Sequence, residues 1–267
     1  MDRISQAFLR AREEGRKVFI PFITAGDPDL GVTRKLVLAL ARSGADLVEL
    51  GVPFSDPLAD GPVIQRASQR ALAHHITLSG ICRFVKDLRR ETDVPIALMS
   101  YYNPILHPGI ENAVRMMTDA GVDGLICPDL PPEEGEEVIA LGRTHGMATV
   151  FFLAPTSTER RIRLVAERST GFIYYVSVTG VTGARDDLPD SIREHLSLIR
   201  TMTDKPIAVG FGVSRPDQAA RIAQWADGVI IGSAIIKILE EHDFSEQAVQ
   251  AVGEFASTIQ RSMEGRP

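Results

Sequence analysis

The sequence predicts an α/β chain folded as a single (β/α)8 barrel, the TIM-barrel architecture, over residues 1–267. Eight short apolar segments recur along the chain, and each is followed by a loop and a helical pattern. The segments are nearly continuous in apolar residues rather than alternating, which is typical of parallel strands covered on both faces. No linker or low-complexity segment divides the chain. An open doubly wound sheet is the alternative, which the absence of G-x-G-x-x-G after the first apolar segment disfavours.

The predicted elements follow the chain in regular order. The predicted strands are Lys17–Ala25, Asp46–Gly51, Val94–Tyr101, Asp123–Asp129, Ala148–Ala154, Gly171–Ser177, Lys205–Phe211 and Asp227–Ser233. Amphipathic stretches predict helices over Leu30–Ser43, Ile110–Ala120, Pro132–Thr144, Ser157–Arg168, Ser191–Arg200 and Arg215–Trp225. Met1–Arg16 predicts an extra helix before the first strand, capping the bottom of the barrel, and "GSAIIKILEE" predicts a short helix after the eighth strand.

Charge and cysteine content narrow the classes of function. The net charge is -6 and no long Lys/Arg run occurs, which argues against nucleic acid and anionic membranes as partners. The chain has 2 cysteines, Cys82 and Cys127, too few for a disulfide framework. The N-terminal stretch lacks the apolar region of a signal peptide, and no apolar run is long enough to span a bilayer. We therefore expect a cytoplasmic protein.

Glu49 is the strongest candidate for chemistry. Active sites of (β/α)8 barrels lie at the carboxyl ends of the strands, where Glu49 falls. On a strand it shares a face with Leu47 and Gly51, so its carboxyl is desolvated. Desolvation raises the pKa of a carboxyl group and suits it to proton transfer near neutral pH. The alternative is a structural Glu49 paired with an Arg or Lys inside the barrel.

The loop that follows carries two further acids, Asp56 and Asp60, in "PFSDPLADGP". Asp, Pro and Gly are ordinary turn residues, so either acid could simply form an Asx-turn. A loop Asp and a strand-end Glu can, however, converge on one ligand. At this point the residues leave both interpretations of Asp60 open.

Three glycine-bearing loops follow the sixth, seventh and eighth predicted strands: Val178–Ala184, Gly210–Ser214 and Ile231–Ile235. Glycine lets backbone N–H groups approach an anion, and barrels commonly bind phosphate after strands seven and eight. Tight βα turns are the simpler explanation. The sequence contains no H-E-x-x-H, Cys-His metal spacing, G-x-S-x-G or Walker motif. Lys205 begins the seventh predicted strand, at the wrong end of the barrel, and Lys237 falls at an outward helix position, so a Schiff-base aldolase is disfavoured.

Longer motifs resemble one family. "LVELGVPFSDPLADGPVIQRASQRAL" resembles the signature of the tryptophan synthase alpha subunit family, and the similarity continues through "PFITAGDP", "GLICPDLPPEE", "YVSVTGVTGAR", "GFGVSRPDQ" and "IIGSAIIK". It covers essentially the whole chain. The resemblance implies retro-aldol cleavage of indole-3-glycerol phosphate into indole and glyceraldehyde 3-phosphate, without a metal or organic cofactor.

The resemblance also implies residue roles. Glu49 is the catalytic acid and base, Asp60 stabilises positive charge at the indole nitrogen, and Tyr174 assists Glu49. The indole pocket is implied to comprise Phe22, Ile64, Met99 and Phe211, and the phosphate site Gly183, Gly212, Gly232 and Ser233. Thr182 lies in an implied lid, residues 179–188, and orients Asp60.

A protein partner is implied too. It is a beta subunit that carries pyridoxal phosphate, joins indole to serine and forms an α2β2 complex in which indole passes through a tunnel. The partner-docking loop comprises Pro53, Phe54, Asp56, Pro57 and Leu58. Three alternatives stay open: a free-standing indole-3-glycerol-phosphate lyase, a sugar-phosphate isomerase or epimerase, and a non-catalytic regulatory barrel subunit.

Overall fold

The computed structural model describes residues 2–176, 190–210 and 212–264. Its strands are β1 (Val18–Thr24), β2 (Val48–Gly51), β3 (Ile96–Met99), β4 (Gly124–Ile126), β5 (Ala148–Val150), β6 (Phe152–Leu153), β7 (Ile173–Val176), β8 (Ile207–Gly210) and β9 (Gly228–Ile231). All pairings between them are parallel, and the sheet order is β5-β4-β3-β2-β1-β9-β8-β7-β6.

The chain itself closes this sheet into a barrel. The two strands at the ends of the order, β5 and β6, are consecutive in sequence and are separated only by Phe151. Together β5 and β6 correspond to the fifth predicted strand, Ala148–Ala154. Counted as one strand, they give the barrel the eight strands that the sequence predicts. The (β/α)8 prediction is confirmed, and the open doubly wound alternative is wrong.

Helices surround the barrel. They are α1 (Arg3–Glu13), α2 (Leu30–Arg42), α3 (Pro62–Ala73), α4 (Leu78–Leu88), α5 (Tyr102–Leu106), α6 (Ile110–Asp119), α7 (Glu136–His145), α8 (Glu159–Arg168), α9 (Asp190–Arg200), α10 (Pro216–Ala223), α11 (Ser233–Glu241) and α12 (Glu246–Met263). No helix in the described ranges is long and apolar enough to cross a bilayer.

The sequence prediction and the structure differ at several helices. The prediction omits α3, α4, α5 and α12. It also begins α7 at Pro132, whereas the helix begins at Glu136. The residues from Pro132 form backbone turns, in which Glu134 N–H donates to Pro131 O and Gly135 N–H donates to Pro132 O. Pro132, Glu133 and Glu134 therefore form the turn before the helix rather than its first residues.

Strand alternation sorts the core into two layers. Phe22, Leu47 and Met99 belong to a cluster inside the barrel. Their neighbours along the strands, such as Leu50 and Leu98, belong to a larger cluster between the sheet and the helices. Because side chains of a strand alternate between faces, Glu49 shares the inner face with Leu47. The fold thus directs the Glu49 carboxyl into the barrel interior.

Helix α1 closes the bottom of the barrel, as predicted for the N-terminal segment. Ile4 and Phe8 are buried members of the inner cluster. A Cβ atom added at Gly124 would lie 2.5 Å from Ile4 Cδ1, and one at Gly228 would lie 3.3 Å from Phe8 Cε1. Glycines in the barrel strands therefore make room for the helix, so the amino ends of the strands are filled with side chains.

Aspartates at the starts of three strands tie the barrel bottom together. Each precedes its strand, accepts a hydrogen bond from a backbone N–H of the neighbouring strand and pairs with an arginine. The sets are Asp46 with Phe19 N–H and Arg16, Asp123 with Ile96 N–H and Arg89, and Asp227 with Ile207 N–H and Arg200. Helix α1 and these aspartates close the end of the barrel at the amino ends of the strands. The candidate site lies at the other end, at the carboxyl ends of the strands.

Candidate active site

Glu49 lies in β2 with no exposed surface. Within the described ranges, neither carboxylate oxygen has a hydrogen-bond partner. The alternative of a structural Glu49 paired with a cation therefore finds no support in the described part of the chain. Burial, and secondarily the nearby charge of Asp60, raise the pKa of Glu49 from 4.5 to about 8. A carboxyl group in this environment holds its proton at neutral pH and is ready to give it up.

Asp60 lies at the end of the loop between β2 and α3 and is 8% exposed. Its Oδ2 accepts a hydrogen bond from the Tyr101 hydroxyl at 3.1 Å. Burial raises the pKa of Asp60 to about 6, and the Tyr101 hydrogen bond opposes that rise. The turns of the loop are made by backbone groups, as in the bond from Asp60 N–H to Pro57 O. The Asp60 side chain is therefore directed at the site, and the Asx-turn interpretation does not describe it.

Tyr174 lies in β7 on the inner face, where it is buried. Its ring centroid lies 4.7 Å from that of Phe152. Burial, followed by the charges of Glu49 and Asp60, raises the pKa of Tyr174 well above its ordinary value. The phenol is thus neutral at physiological pH and lies in the electrostatic field of both acids.

A small cavity at the carboxyl ends of β1–β3 brings several of these residues together. It is lined by Phe22, Thr24, Gly51, Val52, Asp60, Ile64, Ser68, Met99 and Tyr101. Three residues of the predicted indole pocket, Phe22, Ile64 and Met99, therefore share a wall with Asp60. Glu49 lies two residues before Gly51 on the same face of β2, which places it one layer deeper in the barrel.

Glycines leave room for the aromatic rings of the site. A Cβ atom at Gly51 would lie 2.5 Å from Phe22 Cζ, and one at Gly232 would lie 3.0 Å from Phe22 Cδ1. A Cβ atom at Gly210 would lie 2.7 Å from the Tyr174 hydroxyl oxygen. Phe22 therefore spans from β2 to the loop that opens α11, and any larger residue at these glycines would displace a ring.

The predicted phosphate residues fall on two described loops. Gly212 has a φ of +84°, a left-handed conformation that favours glycine. Gly232 is the N-cap of α11 and Ser233 is its first residue. Both are partly exposed, so the first N–H groups of α11 lie beside solvent. Four residues or segments of the predicted site lie outside the described residues: Thr182, Gly183, Phe211 and the lid over 179–188.

The predicted partner-docking loop lies on the rim of the same barrel end. Leu58 is 86% exposed, and Asp56 is also exposed. Phe54 and Pro57 are half-buried, while Pro53 is buried. The structure therefore places an exposed apolar side chain at the tip of the loop that carries Asp60 at its base.

Sequence reasoning gave no role to three polar residues at the cavity. Tyr101 is predicted only as the last residue of the third strand, and the sequence assigns no role to Thr24 or Ser68. The Thr24 hydroxyl is buried and has no hydrogen-bond partner within the described ranges. The only signal in the sequence is their placement: Thr24 and Tyr101 each follow an apolar run at the strand end that faces the site.

The fold and this geometry define a class. It is a (β/α)8 barrel with two buried acids of separated pKa at the carboxyl ends of its strands, an arrangement suited to general acid–base chemistry. The residues described contain no cluster of three or more His, Cys, Asp or Glu able to hold a metal ion.

Comparison with known proteins identifies the family within this class. The family model for the tryptophan synthase alpha chain matches residues 8–264. The tryptophan synthase alpha chain of Geobacter sulfurreducens is 50% identical over 263 residues, which cover 98% of this chain and 99% of that protein. That of Rippkaea orientalis is 46% identical, covering 99% of each.

Solved structures of tryptophan synthase alpha chains have the same fold as this chain. The tryptophan synthase subunit alpha of Legionella pneumophila superposes with a TM-score of 0.91 at 35% identity, covering 99% of both chains. A tryptophan synthase structure from Mycobacterium tuberculosis superposes with a TM-score of 0.90 at 34% identity, covering 98% of both. The chain belongs to the tryptophan synthase alpha chain family. It is a lyase of tryptophan biosynthesis, the component that acts on indole-3-glycerol phosphate.

The raised pKa of Glu49 predicts a pH-dependent cost in stability. The folded state holds the Glu49 proton up to about pH 8, whereas the unfolded chain releases it near the ordinary value of 4.5. Unfolding therefore releases a proton between these two pH values, and the free energy of unfolding falls as pH rises through that window. Glu49→Gln removes this effect. Its stability should match wild type at pH 4.5 and exceed it by on the order of a few kcal/mol at pH 8.

Urea unfolding of both proteins across this pH range measures the difference. Glu137→Gln, a neutralisation at an exposed position of α7, is the matched control and should show no such trend. A stability difference between Glu49→Gln and wild type that does not grow with pH would contradict a raised Glu49 pKa.

Proposed function

We propose that Glu49 and Asp60 together cleave the bond between indole C3 and the adjacent glycerol carbon in indole-3-glycerol phosphate. The observation that carries the proposal is the Glu49 carboxyl, which is buried and unpartnered among the described residues, with a pKa of about 8. A protonated acid at neutral pH can donate to carbon, and its conjugate base can then accept a proton. Retro-aldol cleavage requires both of these steps.

The reaction balances on one residue. The Glu49 carboxyl donates its proton to indole C3, which leaves a positive charge on the ring nitrogen. The Glu49 carboxylate then accepts the proton of the hydroxyl on the adjacent glycerol carbon. As that carbon becomes an aldehyde, the electron pair of the breaking bond returns to the ring and restores neutral indole. Glu49 ends the cycle protonated, and the products are indole and glyceraldehyde 3-phosphate.

Asp60 supplies the complementary charge. With a pKa of about 6 it is largely ionised at neutral pH, while Glu49 keeps its proton. Its carboxylate accepts a hydrogen bond from the indole N–H and stabilises the positive charge that develops there. In a site shielded from water this electrostatic effect lowers the barrier by about 3 kcal/mol. The separation of the two pKa values supports this division of roles, with Glu49 as the proton donor and Asp60 as the ionised group.

Tyr174 and the apolar wall complete the reacting end of the site. The buried phenol of Tyr174 assists Glu49 by holding the reacting hydroxyl. Phe22, Ile64 and Met99 line the cavity beside Asp60 and supply the apolar surface on which the indole ring packs. Phe211 and Thr182 are assigned to this pocket by family resemblance. An apolar pocket of this kind excludes water from the protonated indole. Water would otherwise compete with Asp60 for the indole N–H.

The phosphate group is held at the same barrel end by the loops after β8 and β9, the strands that follow β1 in the sheet. Gly212, Gly232 and Ser233 present backbone N–H groups, and the N-terminus of α11 adds a favourable dipole. Gly183 is assigned to the same site by resemblance. Because Phe22 contacts the loop at Gly232, the phosphate and indole subsites share one wall, which fixes the glycerol between them.

The proposed chemistry uses no metal or organic cofactor, since every proton and electron pair in it moves between substrate and side chains. Pyridoxal phosphate belongs to the partner, a tryptophan synthase beta subunit, with which the chain forms an α2β2 complex. The support for docking at the loop Pro53–Pro62 is its exposed Leu58 and an adjacent groove of about 710 Å³ lined by Pro53, Phe54 and the half-exposed Leu106. A cytoplasmic location stays a prediction.

The other enzyme classes explain less. A sugar-phosphate isomerase or epimerase gives no role to the apolar side chains that line the cavity or to Asp60. A non-catalytic regulatory subunit should have lost Glu49 or Asp60, and the chain retains both. A free-standing lyase uses the same catalytic residues and differs only in having no partner.

The catalytic assignment predicts the following activities. Glu49→Gln should lower kcat for indole release from indole-3-glycerol phosphate by about a thousandfold or more, because one residue performs both proton transfers. Asp60→Asn should lower it about a hundredfold, because a neutral amide stabilises the charged intermediate poorly. The assay is indole formation by purified chain, with and without a beta subunit, which also separates a partner-dependent enzyme from a free-standing one.

Controls for this assay come from exposed acids. Glu137→Gln and Asp119→Asn neutralise exposed positions on α7 and α6 and should keep wild-type rates. Near-normal turnover by Glu49→Gln would overturn the assignment of Glu49.

The phosphate assignment predicts a change in KM. Ser233→Glu places a carboxylate at the N-terminus of α11, where the helix tolerates it but where it repels the substrate phosphate. KM should rise on the order of tenfold or more while the fold is retained. Ser197→Glu, in the exposed middle of α9, is the control. Steady-state kinetics decide the matter, and an unaltered KM in Ser233→Glu would place the phosphate elsewhere.

A further inference from the structure

Tyr101 joins three parts of the loop that carries Asp60. Its hydroxyl accepts a hydrogen bond from Ala59 N–H at 2.9 Å and donates one to Asp60 Oδ2 at 3.1 Å. Its ring stacks on Phe54, with 5.0 Å between centroids and 22° between planes. Phe54 lies at the start of the loop and Asp60 at its end. One side chain therefore fixes both ends of the loop.

The backbone at Tyr101 is itself held in place. Tyr101 is the N-cap residue of α5, and the next backbone N–H, that of Tyr102, donates to Asp129 Oδ1 at 2.8 Å. The Cys127 thiol donates to the same carboxylate oxygen at 3.2 Å. Tyr101 is 7% exposed, so its ring has little freedom to move. The loop after β4 is thus linked to Asp60 by hydrogen bonds, between Asp129 and the Tyr102 N–H and between the Tyr101 hydroxyl and Asp60.

We propose that Tyr101 is the positioning residue that aims the Asp60 carboxylate and keeps it ionised for the reaction proposed above, on which this inference rests. Asp60 Oδ2 is occupied by the Tyr101 hydroxyl, which leaves Oδ1 to accept the indole N–H. The bond from Ala59 N–H fixes the hydroxyl oxygen, so its proton is directed at Asp60. Tyr101 acts through Asp60 and takes no part in proton transfer to the substrate.

The surroundings of Asp60 explain why such a donor is needed. The titratable groups that face it in the described part of the chain are Glu49 from β2, Tyr174 from β7 and Tyr101. Burial favours the neutral form of Asp60. The Tyr101 hydroxyl is the contact that lowers the pKa of Asp60. Without this hydrogen bond, a larger fraction of Asp60 would be protonated near neutral pH. Less negative charge would then be present to stabilise the positive charge on the indole nitrogen.

The test is Tyr101→Phe, which removes the hydroxyl and keeps the ring on Phe54. The acid limb of the pH profile of kcat/KM, which reports ionisation of Asp60 in the free enzyme, should move upward by roughly one pH unit. At pH 6 kcat/KM should fall about tenfold or more, since fewer molecules carry ionised Asp60 and the remaining carboxylate is less well aimed. Tyr102→Phe is the matched control, because that hydroxyl makes no hydrogen bond among the described residues.

A second readout does not depend on activity. Carboxyl carbon NMR of aspartate-labelled protein, with the Asp60 signal identified by its loss in Asp60→Asn, should give a higher titration midpoint for Asp60 in Tyr101→Phe than in wild type. An unmoved midpoint and an unmoved acid limb would overturn the inference, even if the rate fell equally at every pH. If the midpoint moves but the wild-type chain releases no indole, the proposed function fails and the hold of Tyr101 on Asp60 stands.

Discussion

The desolvation of one carboxyl group, that of Glu49, is the constraint on which the rest of the site depends. A carboxylate buried without a partner is costly, so the group keeps its proton and its pKa rises to about 8. That cost is tolerated because the surrounding barrel is pinned elsewhere, by helix α1 in its lower opening and by aspartate–arginine pairs at the strand starts. Stability is placed at one end of the barrel and reactivity at the other.

Asp60 is buried like Glu49, but its pKa of about 6 lets it lose its proton at neutral pH. The site needs one acid that keeps its proton and one that loses it, although both are buried and close to each other. The rigid strand β2 supplies the first. The loop supplies the second, and a hydrogen bond from Tyr101 offsets part of its burial. Because the same loop exposes Leu58, a partner that docked on the loop would lie within a few residues of the Asp60 carboxylate, which offers a short physical route for coupling.

Much of this could be predicted from local sequence patterns. Continuous apolar runs indicate parallel strands, and strand alternation alone places Glu49 inside the barrel. The predicted elements omit helices α3 and α12, although both bury apolar residues along one face. Asp60 could not be separated from a turn residue by local reasoning, and family resemblance supplied its role. Tyr101 lies 41 residues from Asp60, so their hydrogen bond follows from the barrel bringing β2 and β3 side by side. The hydrogen bonds of the aspartates at the strand starts could not be predicted either, since they join residues of neighbouring strands that are far apart in the sequence.

Burial should keep Glu49 protonated at neutral pH inside the folded barrel. Carboxyl carbon NMR of glutamate-labelled protein measures this directly, with the Glu49 signal assigned by its disappearance in Glu49→Gln. The Glu49 signal should titrate with a midpoint near 8. A Glu49 midpoint near the ordinary value of 4.5 would contradict it, because Glu49 would then be ionised at neutral pH and could not begin the reaction as an acid.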